Sequence, residues 1–307
     1  ALTTLWTGAF PSEHGILGYE MWLKEYGILA NMILHNPASY YGDVGSLQRA
    51  GFNPEAFLPS PTLGPHLVKA GVQPFGFLHA AISGSGLSRM QLPGINHAPF
   101  RTLTDLCVSI ADMLKAKRDE RTYSYAYWSV MDELGHHFGP GDERVSLEFN
   151  SFSMQLAHFL RKLQDQKMGN VLFLLAADHG MLDTPVNDEY ALKNHPELES
   201  CLTMVPSGEN RLPYVFLRPG KLDQAREYIE NTWKGKFIIV PSETALASGL
   251  FGLGDPYNRV LERLGDWVVI PQGDAYWWWA EKKNPLRGRH GGLSSIEMLV
   301  PFLAMKM

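Results

Sequence analysis

Apolar residues along the chain alternate between strand-like runs and helical stripes. Residues 170–177 form a near-continuous apolar run, which is typical of a parallel strand that is covered on both faces. Residues 145–164 and 222–233 instead place apolar side chains at helical spacing. Because strands that alternate with helices form βαβ units, the pattern predicts an α/β fold with a mostly parallel sheet flanked by helices.

The remaining strand predictions separate a main domain from a smaller region. Further strands are predicted at 123–131, 213–217, 236–240 and 267–270. Residues 182–286 differ from the rest because they are rich in Pro, Gly and Asn, have shorter strands and contain an aromatic run at 276–279. We therefore expect one domain over 1–307 with a small insertion or cap at about 182–286.

The opening residues predict a helix that ends at Gly8. They contain neither the charged nor the long apolar region of a signal peptide. An α/β domain normally opens with a buried strand, and none precedes this helix. We therefore expect the first strand of the domain to lie upstream of Ala1, which leaves the cellular compartment open.

Composition and charge exclude several classes of protein. The 307 residues are 45% hydrophobic and 19% charged, as in ordinary globular proteins. The net charge of -5 gives no general attraction to nucleic acid, so no stable nucleic-acid partner is expected. No apolar run approaches the ~20 residues of a membrane span. The two cysteines, Cys107 and Cys201, are too far apart in sequence to form a metal-ligand pair. The oligomeric state stays open.

Three short segments combine carboxylates and imidazoles. Asp132 and His136 follow a predicted strand, and the glycines and proline of residues 135–140 favour a tight loop there. Asp178 and His179 end the most apolar strand, and His290 lies between glycines near the C-terminus. Ligands of open α/β sheets bind at the carboxyl ends of strands. The sequence therefore predicts a polar site at that edge.

The types and number of these residues favour metal binding. Asp132, His136 and His290 would give three protein ligands and one open position, as in catalytic zinc sites. Asp178 and His179 would hold a second ion and lack at least one ligand. This donor set suits zinc, with manganese or iron as alternatives. His136 is preferred to its neighbour as ligand, and a hydrogen-bonded Asp–His pair without metal is the alternative.

The same segments carry a resemblance to a known family. The matching elements, in chain order, are Leu5-Trp6-Thr7-Gly8 with Pro11-x-x-His14-Gly15, Asp132-x-x-Gly135-His136-x-x-Gly139-Pro140, Ala177-Asp178-His179-Gly180-Met181 and His290-Gly291. They span almost the whole chain. The sequence resembles the type I phosphodiesterase/nucleotide pyrophosphatase family of the alkaline phosphatase superfamily.

The resemblance implies an alkaline-phosphatase-like fold and a two-metal, zinc-favouring hydrolase of small-molecule phosphoric esters. One ion would be held by Asp132, His136 and His290. The other would be held by Asp178, His179 and an upstream Asp. The family's Thr or Ser nucleophile would lie upstream of Ala1, at the start of the first helix.

One position departs from the family pattern. Characterised members often carry an Asn that steadies the phosphoryl oxygens where this chain has Tyr19. A phenol can still donate one hydrogen bond to phosphate, although Tyr19 could equally be a core residue. Trp22, Tyr40 and Tyr41 could stack on a base or be core. Phosphomonoesterase, phosphonate hydrolase, phosphoryl transferase or mutase, and inactive metal-binding relative remain alternatives.

Overall fold

The computed structural model of the chain describes residues 1–38, 43–166 and 170–307. Its strands are β1 (Glu20–Leu23), β2 (Ile28–Asn31), β3 (Asn36–Pro37), β4 (Gln73–Phe77), β5 (Asn96–His97), β6 (Thr122–Ala126), β7 (Leu172–Ala176), β8 (Leu182–Asp183), β9 (Ser207–Glu209), β10 (Leu212–Val215), β11 (Phe237–Pro241), β12 (Trp267–Pro271), β13 (Gly288–Arg289) and β14 (Phe302–Lys306).

The helices are α1 (Leu2–Thr7), α2 (Pro11–His14), α3 (Ser46–Arg49), α4 (Leu63–Lys69), α5 (Gly86–Gln91), α6 (Leu103–Ala116), α7 (Val130–Phe138), α8 (Glu143–Asp165), α9 (Pro196–Glu199), α10 (Leu222–Thr232), α11 (Ser242–Ala247), α12 (Val260–Leu264) and α13 (Ser295–Met298). Short 3₁₀ turns lie at Pro54–Ala56, Asp188–Tyr190 and Leu192–Asn194. None of these described helices is long and apolar enough to cross a membrane.

A parallel sheet with flanking helices confirms the predicted α/β class. Strand β4 lies between β5 and β6 and is parallel to both. Helices α6 and α8 pack against each other on one side, where Phe77 and Phe100 are fully buried. On α1, Trp6 is buried and its ring centroid lies 4.9 Å from that of Tyr125 on β6. Helices α1, α6 and α8 therefore cover the parallel sheet.

The larger sheet is antiparallel, a share of the fold that the alternating pattern did not indicate. Its seven described strands run in the order β11-β12-β10-β9-β1-β2-β3. Glu20 of β1 pairs with Gly208 of β9, so the sheet joins the N-terminal region to the segment predicted as an insertion. Trp277, within the aromatic run, is fully buried in the core beneath this sheet. The boundaries at 182–286 stay a prediction.

Strand β7 corrects one expectation. It pairs antiparallel with β14, and its residues alternate between partly covered and exposed. Leu172 is 64% exposed and Leu174 is 52% exposed. The prediction of a parallel strand covered on both faces is wrong for the described chain. An all-apolar run has no period, so it cannot distinguish a strand buried on both faces from one with a single covered face.

Candidate metal centre

Helix α7 presents the first two predicted ligands. Asp132 and His136 are one helical turn apart and so lie on the same face. The tight loop predicted from the glycines and proline of residues 135–140 is wrong, because residues through Phe138 are helical. Gly135 serves close packing instead of a turn: a Cβ there would lie closer than 3.0 Å to Sδ of Met181. The helix ends at Gly139, whose φ is 91°.

Two further segments bring the other predicted ligands to this helix. Asp178 and His179 follow β7, and His290 follows β13. The peptide N–H of Arg287 donates to the carbonyl oxygen of His136 at 2.7 Å, which ties the second segment to α7. Strands from different parts of the chain thus deliver side chains to one place.

The five predicted ligands form one continuous cluster. Oδ1 of Asp132 lies 3.4 Å from Nε2 of His136 and 3.8 Å from Nε2 of His290. The rings of His179 and His290 stack with centroids 3.5 Å apart, and Nε2 of His179 lies 3.7 Å from Oδ1 of Asp178. The side chains are 22–33% exposed, which leaves the cluster open to a small molecule.

The potential ligand atoms that lie closest together belong to residues that the sequence analysis assigned to two different ions. One ligand atom each from Asp132, His179 and His290 lies within 4.8 Å of the others. The sequence assigned His179 to a different ion from Asp132 and His290. Proximity alone therefore identifies a group that could hold a metal ion, and the division of the ligands between two ions stays a prediction.

Backbone carbonyls fix the tautomers of two histidines. Nδ1 of His136 lies 2.9 Å from the carbonyl oxygen of Gly288, and Nδ1 of His179 lies 2.9 Å from that of Gly180. A carbonyl oxygen only accepts, so each Nδ1 carries the proton and each Nε2 offers its lone pair to the cluster. Metal-ligating histidines are commonly oriented in this way.

The electrostatics also suit a cation. Burial, followed by the charges of His179 and His136, lowers the pKa of His290 to about 2, so its imidazole is neutral. Burial raises the pKa of Asp132. Within the described chain, Oδ1 of Asp132 is buried and has no hydrogen-bond partner. A buried carboxylate oxygen without a hydrogen-bond partner is costly, and a bound cation would satisfy it together with the neighbouring imidazole nitrogens.

Sequence reasoning missed two side chains beside the cluster. The hydroxyl of Tyr127 donates to Oδ2 of Asp178 at 3.4 Å. Oε1 of Glu209 accepts the peptide N–H of Tyr19 at 2.8 Å, and its side chain packs against Gly291. Burial raises the pKa of Glu209 to about 8. An isolated Glu in β9 gives no local signal of function, whereas Tyr127 directly follows the strand that leads to α7.

Tyr19 itself is not a core residue. It is 39% exposed, and its backbone pairs with Glu209 at the edge of the cluster. A contact between Tyr19 and phosphate stays a prediction. Trp22 is half-buried on β1, and Tyr40 and Tyr41 lie outside the described residues.

Comparisons with known proteins identify relatives. The sequence profile of the family described as "Type I phosphodiesterase / nucleotide pyrophosphatase" matches residues 1–293. Human ectonucleotide pyrophosphatase/phosphodiesterase family member 5 is 23% identical over 124 residues, or 36% of this chain. That alignment spans 26% of the human protein, about a quarter of its length.

Solved structures show the same fold. Murine ectonucleotide pyrophosphatase/phosphodiesterase 5 has a TM-score of 0.71 at 17% identity, over 99% of this chain and 75% of the murine chain. Phosphonoacetate hydrolase from Sinorhizobium meliloti 1021, in complex with phosphonoformate, has a TM-score of 0.62 at 17% identity. That match covers 98% of this chain and 76% of the hydrolase.

The α/β fold matches that of the solved phosphodiesterase and phosphonoacetate hydrolase structures, and it carries a carboxylate–imidazole cluster. The chain belongs to the type I phosphodiesterase/nucleotide pyrophosphatase family, whose profile matches most of its length. Members of this family are hydrolases of phosphoester bonds that use divalent metals. The resemblance inferred from the sequence motifs is thereby confirmed.

Proposed function

We propose that this protein is a two-zinc hydrolase of phosphodiesters and nucleotide pyrophosphates. The observation that carries the proposal is the buried Oδ1 of Asp132, which has no hydrogen-bond partner among the described residues and lies 3.4 Å from Nε2 of His136 and 3.8 Å from Nε2 of His290. Zinc favours nitrogen and carboxylate ligands of this kind, with manganese and iron as alternatives.

The ligands divide between two ions in the proposed enzyme. Asp132, His136 and His290 hold one ion, and Asp178 and His179 hold the other together with a carboxylate from outside this sequence. When bound, two such ions stabilise the attacking and leaving oxygens of an in-line displacement at phosphorus. Tyr127 restrains Asp178 through its hydroxyl, and backbone carbonyls keep His136 and His179 in the ligating tautomer.

The attacking hydroxyl belongs to a Thr or Ser on polypeptide that precedes Ala1. The backbone nitrogen of Ala1 lies near enough to Asp178 and Glu209 for electrostatic interaction, which supports an approach of that polypeptide past the cluster. Among the described residues, β6 pairs only with β4, and β7 pairs only with β14. These free edges fit a first strand of the domain, which leads directly into the start of α1.

Family membership supports the choice of ester over phosphonate substrates in this proposal. An inactive form of the murine relative has been solved in complex with AMP, and the bacterial hydrolase structures contain phosphonoformate or phosphonoacetate. The murine structure matches this chain better, with a TM-score of 0.70 against 0.62 and 0.63. Nucleotide-like diesters are therefore the first substrates to assay.

The test is metal content together with turnover, measured on full-length protein. We expect about two zinc ions per chain and faster hydrolysis of bis(nitrophenyl) phosphate than of the monoester. His136→Ala should lose at least about a hundredfold in turnover, since a ligand is removed. His137→Ala is the matched control, because His137 is exposed on the same helix. Absence of stoichiometric transition metal would contradict the proposal, and cleavage of phosphonoacetate alone would replace its substrate class.

A further inference from the structure

One residue of α13, Glu297, contacts both loops that carry histidine ligands. Its carbonyl oxygen accepts the peptide N–H of Gly180 at 2.8 Å, next to His179. Its carboxylate Oε1 accepts the peptide N–H of Gly292 at 2.9 Å, two residues after His290. The same residue therefore anchors the two histidines whose rings stack.

The carboxylate of Glu297 is in turn held by Arg211. Nε of Arg211 donates to Oε1 at 3.0 Å, and Nη2 donates to Oε2 at 2.8 Å, so the pair is bidentate. The hydroxyl of Ser294 donates to Oε2 at 2.6 Å. The side chains of Arg211 and Glu297 are only 1% and 0% exposed. The carboxylate thus accepts hydrogen bonds from Arg211, Ser294 and Gly292, all of them groups of the folded chain.

Arg211 connects this anchor to the antiparallel sheet. It directly precedes β10, and its Nη1 donates to the carbonyl oxygen of Ala275. The guanidinium therefore lies between the sheet and α13. Hydrogen bonds thus connect the start of β10, through Arg211 and Glu297, to both ligand loops.

Close packing leaves the loops no freedom to compensate. A Cβ on Gly180 would lie closer than 3.0 Å to the carbonyl oxygen of Ile296. A Cβ on Gly292 would lie 2.7 Å from Oε2 of Glu297. Both glycines thus pack directly against Ile296 and Glu297 of α13, and the position of these residues sets the path of each loop.

Stability alone gives little reason for such a pair. Burying two charges costs desolvation energy, and apolar residues of similar volume often replace a buried ion pair at no loss. We propose that Arg211 and Glu297 are positioning residues that hold the His179 and His290 loops at the separation required for metal binding. The metal-binding part of this inference rests on the proposed function.

The first measurement is zinc affinity of the full-length protein by competition with a chromophoric chelator. Arg211→Met and Glu297→Gln should each weaken the affinity 10- to 100-fold, the usual effect of residues that orient ligands. Arg263→Met is the control, because Arg263 is equally buried, pairs with Glu25 and has no contact with either loop in the described structure. The control should change the affinity less than about threefold, although it also removes a buried guanidinium.

A second measurement separates positioning from general stability. In the metal-free protein, amide hydrogen exchange at Gly180 and Gly292 should accelerate at least about tenfold in both variants. The Gly292 N–H donates to the Glu297 carboxylate itself, and the Gly180 N–H donates to the main-chain carbonyl of Glu297, whose position that carboxylate fixes. The double variant Arg211→Met with Glu297→Leu should recover thermal stability as an apolar pair. It should keep the weakened affinity and an altered visible spectrum when loaded with Co²⁺.

The outcomes are distinguishable. Weaker affinity in the double variant at restored stability supports positioning. Recovery of affinity together with stability would overturn it, as would unchanged exchange at the two glycines. If the unaltered protein binds no zinc, the proposed function fails, and the exchange rates of Gly180 and Gly292 still decide whether the pair positions the loops.

Discussion

Replacing Gly180 by Ala tests how tightly the ligand loop packs. The added methyl group would lie 3.0 Å from the carbonyl carbon of Ile296, 3.5 Å from Cα of Glu297 and still closer to the carbonyl oxygen of Ile296. These are backbone atoms, so no side-chain rotation relieves the overlap. Because Gly180 is not among the glycines with positive φ, the cost comes from packing and not from backbone conformation.

The magnitude follows from two contributions. Overpacking of this kind costs about 1–3 kcal/mol. Displacing the loop also breaks the hydrogen bond from Gly180 to Glu297, whose loss from a buried position costs about 1–3 kcal/mol. We expect Gly180→Ala to lower the free energy of unfolding by ~2–6 kcal/mol and to weaken zinc binding, since His179 precedes Gly180 directly.

The assay is urea denaturation of metal-free protein, followed by zinc titration. Gly84→Ala is the matched control, because a Cβ there would meet nothing within 4 Å and its φ is not positive. Its stability should change by no more than about 0.5–1 kcal/mol, toward greater stability. The reasoning is refuted if Gly180→Ala unfolds within about 0.5 kcal/mol of the parent.

Three further predictions concern other parts of the molecule. Burial lowers the pKa of His14 to about 4 from 6.5, so the unfolded chain binds more protons between these values. The free energy of unfolding should therefore fall as pH drops from 6.5 to about 4, by at most ~3 kcal/mol for this residue. His14→Gln should flatten this dependence of the unfolding free energy on pH, measured by urea titrations at each pH. Gly135→Ala should lower the stability only slightly, because the added methyl group meets the flexible Met181 side chain. Adding Met181→Ala to this variant should recover part of any stability that thermal unfolding shows to be lost. Chelation of bound zinc by EDTA should lower the free energy of unfolding by about 2.7 kcal/mol per site, if zinc had been present at a hundred times its dissociation constant. An unfolding midpoint that is the same with and without EDTA would argue against zinc binding that is linked to folding.

Elements with strong periodicity could be predicted from the sequence. Helix α8 covers the predicted stripe at 145–164, and β11 and β12 lie within one residue of their predicted segments. Strand pairing could not be predicted in the same way. Glu20 pairs with Gly208 across most of the chain, and such a contact leaves no mark on the local pattern of either segment.

The candidate site shows the same division between local and distant causes. Asp178 and His179 were predictable because a carboxylate and an imidazole end an apolar strand together. The close packing at Gly135 was not, because Met181, the residue that packs against it, is distant in sequence. Glu297 was missed for a related reason: its role consists of hydrogen bonds to loops and to Arg211, none of which a lone Glu reveals.

The Arg211–Glu297 pair also bears on the choice between a hydrolase and a phosphoryl transferase with a moving cap. Arg211 lies within residues 182–286, the region predicted as an insertion or cap, yet it donates to a carboxylate that anchors the His290 loop. Moving this region away would leave a buried charge unpaired, at a cost of about 3–5 kcal/mol, and would release the loop of His290, a proposed ligand. A cap that opens in each catalytic cycle would thus disrupt the candidate site. The region therefore fits a fixed support for the candidate metal centre, which favours the proposed hydrolysis at an open cluster.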